Sequence, residues 1–251
     1  MLNVNVVFGI HSVKALLEAQ PNRVEKIYVL NTRDDRPLQA ICTQAENASI
    51  PIIRLPKNEL DHLLAGKHTH QGVIAVCEPL APLDESTLKD LIKNQTEAIL
   101  LLVLDGVQDP HNLGACLRNA NAFGVHAVIA PKDRAVGLTA VAQKAASGAA
   151  EITPFIRVTN LARTLRWLKE QGVWLVGATA DAEKSIIDID LKGNIAIVLG
   201  GEGEGMRQLT KQSCDFLAHI PMFGSVESIN VSVATGVCLY EAQRQRVSIE
   251  E

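Results

Sequence analysis

Three short segments of the chain combine glycine or proline with polar side chains that could carry chemistry. They are DGVQDPHNLGACLR at residues 105–118, LGGEGEGM at residues 199–206 and IPMFGSVESIN at residues 220–230. Each follows an apolar run that is typical of a buried strand. Because open parallel sheets bind ligands at the carboxyl ends of their strands, we expect these segments to face a ligand.

The first segment predicts a turn followed by a helix. Pro110 ends the preceding strand, Asn112 is a candidate helix cap, and Gly114 allows another backbone or a ligand to approach closely. Arg118 follows one turn later on the same helix. A capped turn with a surface arginine explains this segment equally well when it is considered alone.

The second segment invites comparison with the dinucleotide-binding pattern G-x-G-x-x-G. Gly201 and Gly203 match the first two glycines of that pattern, but the third falls on Met206. Two carboxylates, Glu202 and Glu204, would also repel a pyrophosphate. A nucleotide-dependent oxidoreductase is therefore disfavoured, whereas a close approach of this backbone to another ligand stays open.

In the third segment, Ser228 and Asn230 come directly before an amphipathic pattern at residues 231–246 that predicts the C-terminal helix. Ser and Asn are frequent N-caps, so a capping role explains either residue taken singly. Only the combination of the three segments is specific enough to indicate chemistry.

The elements that must position these segments form two groups. In the first group we predict strands at residues 25–30, 50–55 and 73–77 and a helix at 36–48. The second group follows the proline-containing stretch EPLAPL at 78–83. In it we predict a helix from about residue 86 and a capped helix at 160–170. We also predict strands at 98–104, 127–130, 173–178 and 195–199. Alternating strands and helices indicate an α/β fold with a parallel sheet. The expected domains are 1–77 and 94–251, joined by a linker at 78–93.

The composition excludes some classes of protein. A formal net charge of −4 argues against a protein that simply coats nucleic acid, so any RNA contact must be local. With no long apolar run and no signal-peptide pattern, we expect a soluble cytoplasmic protein that does not enter a membrane. Five well-separated cysteines indicate reduced core thiols rather than a zinc site. The pair His68 and His70 is more simply a polar loop than a metal site.

The motif series N-x-G-x-x-x-R at 112–118, LGGEGEGM at 199–206 and IPM-x-G-S-x-x-S-I-N at 220–230 resembles the SpoU (TrmH) family of RNA ribose 2′-O-methyltransferases. Other stretches extend the resemblance over nearly the whole chain, among them GIHSVKALLE at 9–18, HQGVIA at 70–75 and SINVSVATGVCLYEA at 228–242. It is weakest at residues 30–70 and 180–195.

The resemblance implies a SPOUT-type α/β domain whose C-terminal part forms a deep trefoil knot, preceded by a small L30e-like RNA-binding domain. It implies that S-adenosylmethionine is the methyl donor and that no metal is needed. The donor contacts carried over by position are Gly200, Ile220 and Ile229. The implied catalytic residues are Asn112, Arg118, Glu202, Ser228 and Asn230.

The resemblance also implies a homodimer that methylates a guanosine ribose in 23S rRNA. Transfer RNA is the alternative substrate, and a non-catalytic RNA-binding protein of the same fold is a second alternative. Family accounts give the arginine the central part in activating the 2′-hydroxyl. Because a free guanidinium stays protonated, Arg118 acts either as a base or as an electrostatic stabiliser of the alkoxide. Arg134, Lys144, Arg157 and Arg163 are candidate phosphate contacts and are equally well surface charges.

Overall fold

The computed structural model describes residues 5–64, 70–203 and 205–247. The chain folds as two compact units, the first ending at residue 81 and also including residues 147–152, and the second formed by the remainder. Within the described ranges, no helix has both the length and the apolar character that are needed to cross a bilayer.

The first unit has a four-stranded mixed sheet with strand order β1-β4-β2-β3. Its strands are β1 (Asn5–Phe8), β2 (Val24–Leu30), β3 (Ile52–Leu55) and β4 (Val73–Cys77). Its helices are α1 (Ile10–Ala19), α2 (Arg36–Asn47) and α3 (Lys57–Leu63), and α7 (Ala149–Ile152) belongs to it as well. Every residue of β4 is buried, as its unbroken apolar sequence predicts for a central strand.

The second unit has a seven-stranded sheet in which all pairs are parallel, as predicted. Its strand order is β7-β6-β5-β10-β8-β11-β9. The strands are β5 (Leu100–Asp105), β6 (Ala127–Pro131), β7 (Phe155–Val158), β8 (Trp174–Ala178), β9 (Lys184–Ser185), β10 (Ile195–Gly200) and β11 (Phe216–His219). The helices are α4 (Glu85–Asn94), α5 (Pro110–Ala122), α6 (Ala140–Ala145), α8 (Leu161–Glu170), α9 (Gln208–Ser213) and α10 (Val231–Val247).

Three local features differ from, or refine, the sequence prediction. The predicted cap Asn112 is wrong, because α5 begins three residues earlier and Asp109 caps it by accepting from the backbone N–H of His111 at 3.0 Å. Asn160 caps α8 as predicted, accepting from the backbone N–H of Arg163. The segment predicted as a linker contains α4, whose Leu88 is buried in the core of the second unit.

The cysteines are free thiols, as predicted, but only three of the five are core residues. Cys77, Cys116 and Cys238 are buried, whereas Cys42 and Cys214 are partly exposed. Burial raises the pKa of Cys116 to about 11 and that of Cys238 to about 12. These two thiols are therefore protonated and unreactive at neutral pH.

Gly114 allows helices α5 and α6 to touch through their backbones. A Cβ atom at this position would lie 2.5 Å from the carbonyl oxygen of Ala142 and 2.9 Å from the backbone nitrogen of Ala146. The close approach predicted at Gly114 is thus confirmed, and the group that approaches is a neighbouring backbone.

We expect Gly114→Ala to lower the free energy of unfolding by about 1–3 kcal/mol, because backbone atoms cannot move aside as a flexible side chain would. Urea unfolding followed by circular dichroism measures the change. The matched control is Gly193→Ala, where a new Cβ meets no atom within 4 Å. Equal stability of the two variants would contradict the packing described here.

Candidate active site

The predicted segments converge because β5 and β10 are neighbours in the sheet. The two strands pair in parallel, with Asp105 opposite Gly200 at their carboxyl ends. The first segment follows β5 directly and the second follows β10 directly, while α10 packs against both α5 and β10. Residues far apart in the sequence therefore lie at one edge of the sheet, where parallel sheets bind ligands.

Three polar side chains, one from each segment, form a hydrogen-bonded cluster. Asn112 donates from Nδ2 to Glu202 Oε1 at 2.9 Å. Asn230 donates from Nδ2 to the same oxygen at 2.7 Å and to Asn112 Oδ1 at 3.0 Å. The Glu202 carboxylate is thus held by neutral amides, which fix its position without cancelling its charge.

Asn230 both caps helix α10 and belongs to the hydrogen-bonded cluster. Its Oδ1 accepts from the backbone N–H of Ser232 at 2.8 Å and from the Ser232 hydroxyl at 2.6 Å. Its amide nitrogen faces Glu202 and Asn112. The capping role that the sequence suggested is therefore correct, and it fixes the direction in which Asn230 donates.

Glycines allow the loop after β10 to fold back on itself and onto the loop after β5. A Cβ on Gly200 would collide with the backbone of Gly205 and Met206, and one on Gly201 would collide with the carbonyl group of Gly106. Gly201 donates its N–H to the Asp105 carbonyl at 2.9 Å. Only glycine fits at these two positions, so the glycine density of the second segment has a steric cause.

Two cavities flank the cluster. The first has a volume of about 560 Å³ and is lined by residues of the second and third segments and by the end of β8. The second has a volume of about 390 Å³ and is lined mainly by the loops after β5 and β10. They share a wall formed by Gly201, Glu202, Gly205 and Val231. Two ligands could therefore meet at Glu202.

An ion pair that the sequence analysis missed holds the loop after β10 in place. Asp105, fully buried at the end of β5, accepts from Arg207 Nε at 2.6 Å and from the Arg207 backbone N–H at 2.9 Å. The available signal was a charged residue at the end of the otherwise apolar run LLLVLD. A buried carboxylate needs such a partner because desolvation penalises its charge.

The other residues predicted for the site divide into two groups. Gly200, Ile220, Ser228 and Ile229 line the first cavity. Arg118 lines neither cavity and is exposed on α5. The structure of one chain therefore brings seven of the eight predicted residues together and leaves Arg118 apart.

The candidate phosphate contacts also differ in their surroundings. Arg157 donates from Nη2 to the carbonyl oxygens of Lys132 at 2.6 Å and Ala135 at 3.2 Å. Arg163 pairs with Glu85 at 3.2 Å. Arg134 is exposed and lines the second cavity. Of these three, Arg134 is the one at the candidate site.

Among the described residues, no group of three or more His, Cys, Asp or Glu side chains is arranged to bind a metal ion. His68 lies outside the described residues. His70 is buried, with Nε2 at 3.0 Å from Asp61 Oδ1, while its Nδ1 accepts from the backbone N–H of Gly72. Both ring nitrogens of His70 are thus engaged within the protein.

Known proteins match the chain over almost its full length. A model of the SpoU rRNA Methylase family matches residues 99–240, and a model described as RNA 2′-O ribose methyltransferase substrate binding matches residues 6–83. A protein of Coxiella burnetii named 23S rRNA (guanosine-2′-O-)-methyltransferase RlmB is 58% identical over 246 residues, which cover 98% of each chain.

Two solved structures have the same fold. One is an RNA 2′-O ribose methyltransferase, 26% identical, with a TM-score of 0.79 over 96% of this chain and 88% of the other. The second is the SpoU methyltransferase AviRb from Streptomyces viridochromogenes, 23% identical, with a TM-score of 0.78 over 97% of this chain and 90% of the other. With its motif residues gathered at one edge of a parallel sheet, the chain belongs to the SpoU rRNA methylase family.

Proposed function

We propose that this protein transfers a methyl group from S-adenosylmethionine to the ribose 2′-hydroxyl of a guanosine in 23S rRNA. The observation that carries the proposal is the Asn112–Glu202–Asn230 cluster next to the wall between two cavities, where a donor and an acceptor can meet. The RNA and the nucleotide are those for which the Coxiella burnetii relative is named.

The first cavity suits S-adenosylmethionine in size and chemistry. Its volume of about 560 Å³ lies within the usual range for small-molecule sites. Leu199, Ile220 and Ile229 supply an apolar surface for a purine, and Gly200 lines the cavity beside them. Two carboxylates, Glu202 and Glu227, line the same cavity and suit a ligand that carries positive charge.

When bound, S-adenosylmethionine supplies a methyl group activated by a sulfonium. The protein's part is then to hold the acceptor oxygen in line with that methyl group. Asn112 and Asn230 keep Glu202 fixed at the shared wall, where its uncancelled charge attracts the cationic donor. Ser228 lines the first cavity, and in this proposal it helps to orient the ribose.

Arg118 activates the 2′-hydroxyl in this proposal, either as a base or by stabilising the alkoxide that develops. Within one chain it lines neither cavity. We therefore assign Arg118 to a site that a second subunit completes.

A homodimer formed through α10 fits this arrangement. Val233, Val237 and Tyr240 recur at helical spacing on α10 and are 52%, 38% and 59% exposed. Val231, Cys238, Leu239 and Ala242 on the same helix are buried. The helix is thus apolar on two faces, and an exposed apolar stripe of this kind marks a contact surface.

The proposal includes the SPOUT-type trefoil knot. After β11, at the far side of β10, the chain returns so that α10 packs against both α5 and β10. The loop at 200–206 contacts itself closely enough to require glycine. Both features are expected where a chain end passes through a tight loop.

The first unit, with its mixed sheet and the substrate-binding family match at 6–83, is proposed as an L30e-like RNA-binding domain. The proposed domain boundaries are 1–77 and 94–251, and the residues between them include most of α4, whose Leu88 packs in the core of the second unit. With 23S rRNA as its substrate, the protein would work in the cytoplasm, where ribosomes are assembled.

We expect the protein to label one guanosine of unmodified 23S rRNA from radiolabelled S-adenosylmethionine, and Arg118→Ala to lower the rate about a hundredfold or more. Alkaline hydrolysis reads out the product, because a 2′-O-methyl group blocks cleavage at the next linkage. The control is Arg166→Ala, which removes an exposed arginine from α8. Label in transfer RNA but not in 23S rRNA would identify transfer RNA as the substrate. Binding of S-adenosylmethionine without any methyl transfer would favour a non-catalytic RNA-binding protein.

Asn230→Asp tests the cluster with a nearly isosteric change. It keeps the oxygen that caps Ser232 but places a carboxylate oxygen about 2.7 Å from Glu202. Repulsion should raise the pKa of this carboxylate pair and displace Glu202, lowering kcat about a hundredfold. A lower pH should restore part of the activity relative to the wild type, because one shared proton relieves the repulsion.

The control for Asn230→Asp is Asn194→Asp, which keeps the acceptor for the Ile99 N–H at the opposite end of the sheet. We expect it to retain wild-type kcat. If Asn230→Asp and the wild type had equal kinetics across the pH range, the cluster would not have the positioning role proposed for it.

Val237→Glu should convert the dimer to a monomer, because it buries a charge in the middle of the proposed interface. Sedimentation velocity at micromolar concentration measures the change, and methyl transfer should fall together with the dimer. Leu209→Glu, which alters an exposed apolar residue on α9, should stay dimeric. A wild-type protein that sediments only as a monomer would refute the interface.

A further inference from the structure

The second cavity contains one cation with no partner among the described residues. Its lining includes two arginines, Arg134 and Arg207, and Arg207 is paired with the buried Asp105. Arg134 forms no hydrogen bond or ion pair with any residue in the described ranges, and its side chain is exposed. No described residue therefore competes with a ligand of this cavity for its guanidinium donors.

The carboxylates that line the same cavity are engaged within the protein. Asp105 is held by Arg207, and Glu202 accepts from Asn112 and Asn230. Asp109 accepts from the backbone N–H of His111 at the start of α5. These contacts hold all three carboxylates in place, and within the described part of the chain only Asp105 of the three is paired with a cation. Arg134 is therefore the cation best placed to attract an anion in this cavity.

The backbone presents Arg134 in a conformation that few side chains adopt. Its φ of 56° lies in the left-handed region, which costs free energy for a residue with a Cβ and favours Asn or Gly. The arginine at this position therefore runs against the local conformational preference of the chain. Such strain concentrates at functional sites.

A second arginine holds the loop that carries Arg134. Arg157, from β7, donates to the carbonyls of Lys132 and Ala135, on either side of Arg134. Val136 donates its N–H to the Val107 carbonyl at 2.9 Å, which ties this loop to the loop after β5. The loop is thus fixed beside the second cavity before any ligand arrives, which lowers the entropic cost of binding.

We propose that Arg134 binds a phosphodiester of the RNA strand that carries the target ribose, seating that nucleotide in the second cavity. This inference rests on the proposed function. The cavity shares Glu202 with the donor cavity, so a nucleotide held there has its ribose beside the shared wall. A guanidinium fits a phosphate through two parallel hydrogen bonds, and RNA carries one phosphate on each side of the ribose.

The test is the salt dependence of RNA binding by Arg134→Asn and Arg134→Gly, two substitutions that suit a positive φ and remove the charge. RNA affinity should fall about tenfold, and the slope of log affinity against log salt should flatten by about 0.7–1. Arg166→Gln removes the same charge from α8 and should leave both unchanged. The affinity for S-adenosylmethionine, measured by calorimetry, should match the wild type in all variants, which shows that the fold is intact.

The two proposals fail in different ways. Wild-type affinity and slope in both Arg134 variants, with methyl transfer intact, would overturn the phosphate contact and leave the proposed function standing. A weaker affinity with an unchanged slope would also overturn it, in favour of a contact to a base. No methyl transfer by the wild-type protein would overturn the proposed function, while the slope would still decide whether Arg134 contacts phosphate.

Discussion

The site depends on one carboxylate held by two amides. Glu202 accepts from Asn112 at 2.9 Å and from Asn230 at 2.7 Å, which joins loops that are 90 and 28 residues away in the sequence. Had lysine or arginine filled these positions, the same geometry would have neutralised the carboxylate. Amides orient it and leave its charge available to a cationic ligand, so the choice of partner residue determines the electrostatics of both cavities.

That cluster depends in turn on how closely backbones approach at the ends of β5 and β10. Gly200 and Gly201 contact the backbones of residues 205–206 and 106, and a Cβ would collide at either position. Asp105 and Arg207 then fix the far end of the loop through a buried ion pair. Glu202 lies between these two restraints, so its loop has little freedom to place it elsewhere. The close approach of the backbones determines where Glu202 lies, and the Asp105–Arg207 ion pair holds the loop in that position.

The sequence predicts those strands and helices whose positions depend on a local pattern of residues. Strands β4, β5 and β10 follow continuous apolar runs, and the structure places them within two residues of the predicted limits. The sequence predicts no limits for β11, because the run FLAH before the third segment is short and ends in histidine. A local pattern cannot choose between Asn112 and Asp109 as the helix cap, and the structure identifies Asp109. Neither the pairing of Asp105 with Arg207 nor the contact of Asn112 with Glu202 has a local signal, since both arise from strand order.

The spacing of Asn112 and Arg118 along helix α5 bears on the proposed homodimer. Six residues on an α-helix correspond to a rotation of about 600°, so the two side chains point about 120° apart and lie about 9 Å apart along the axis. On the single helix α5 the two residues therefore lie on different faces, Asn112 buried and Arg118 exposed. Asn112 faces Glu202 of its own chain, which leaves Arg118 for a different surface. In the proposed homodimer, a two-fold axis close to α10 would bring one subunit's arginine toward its partner's cluster. The motif spacing and the exposed apolar stripe on α10 then have one common explanation.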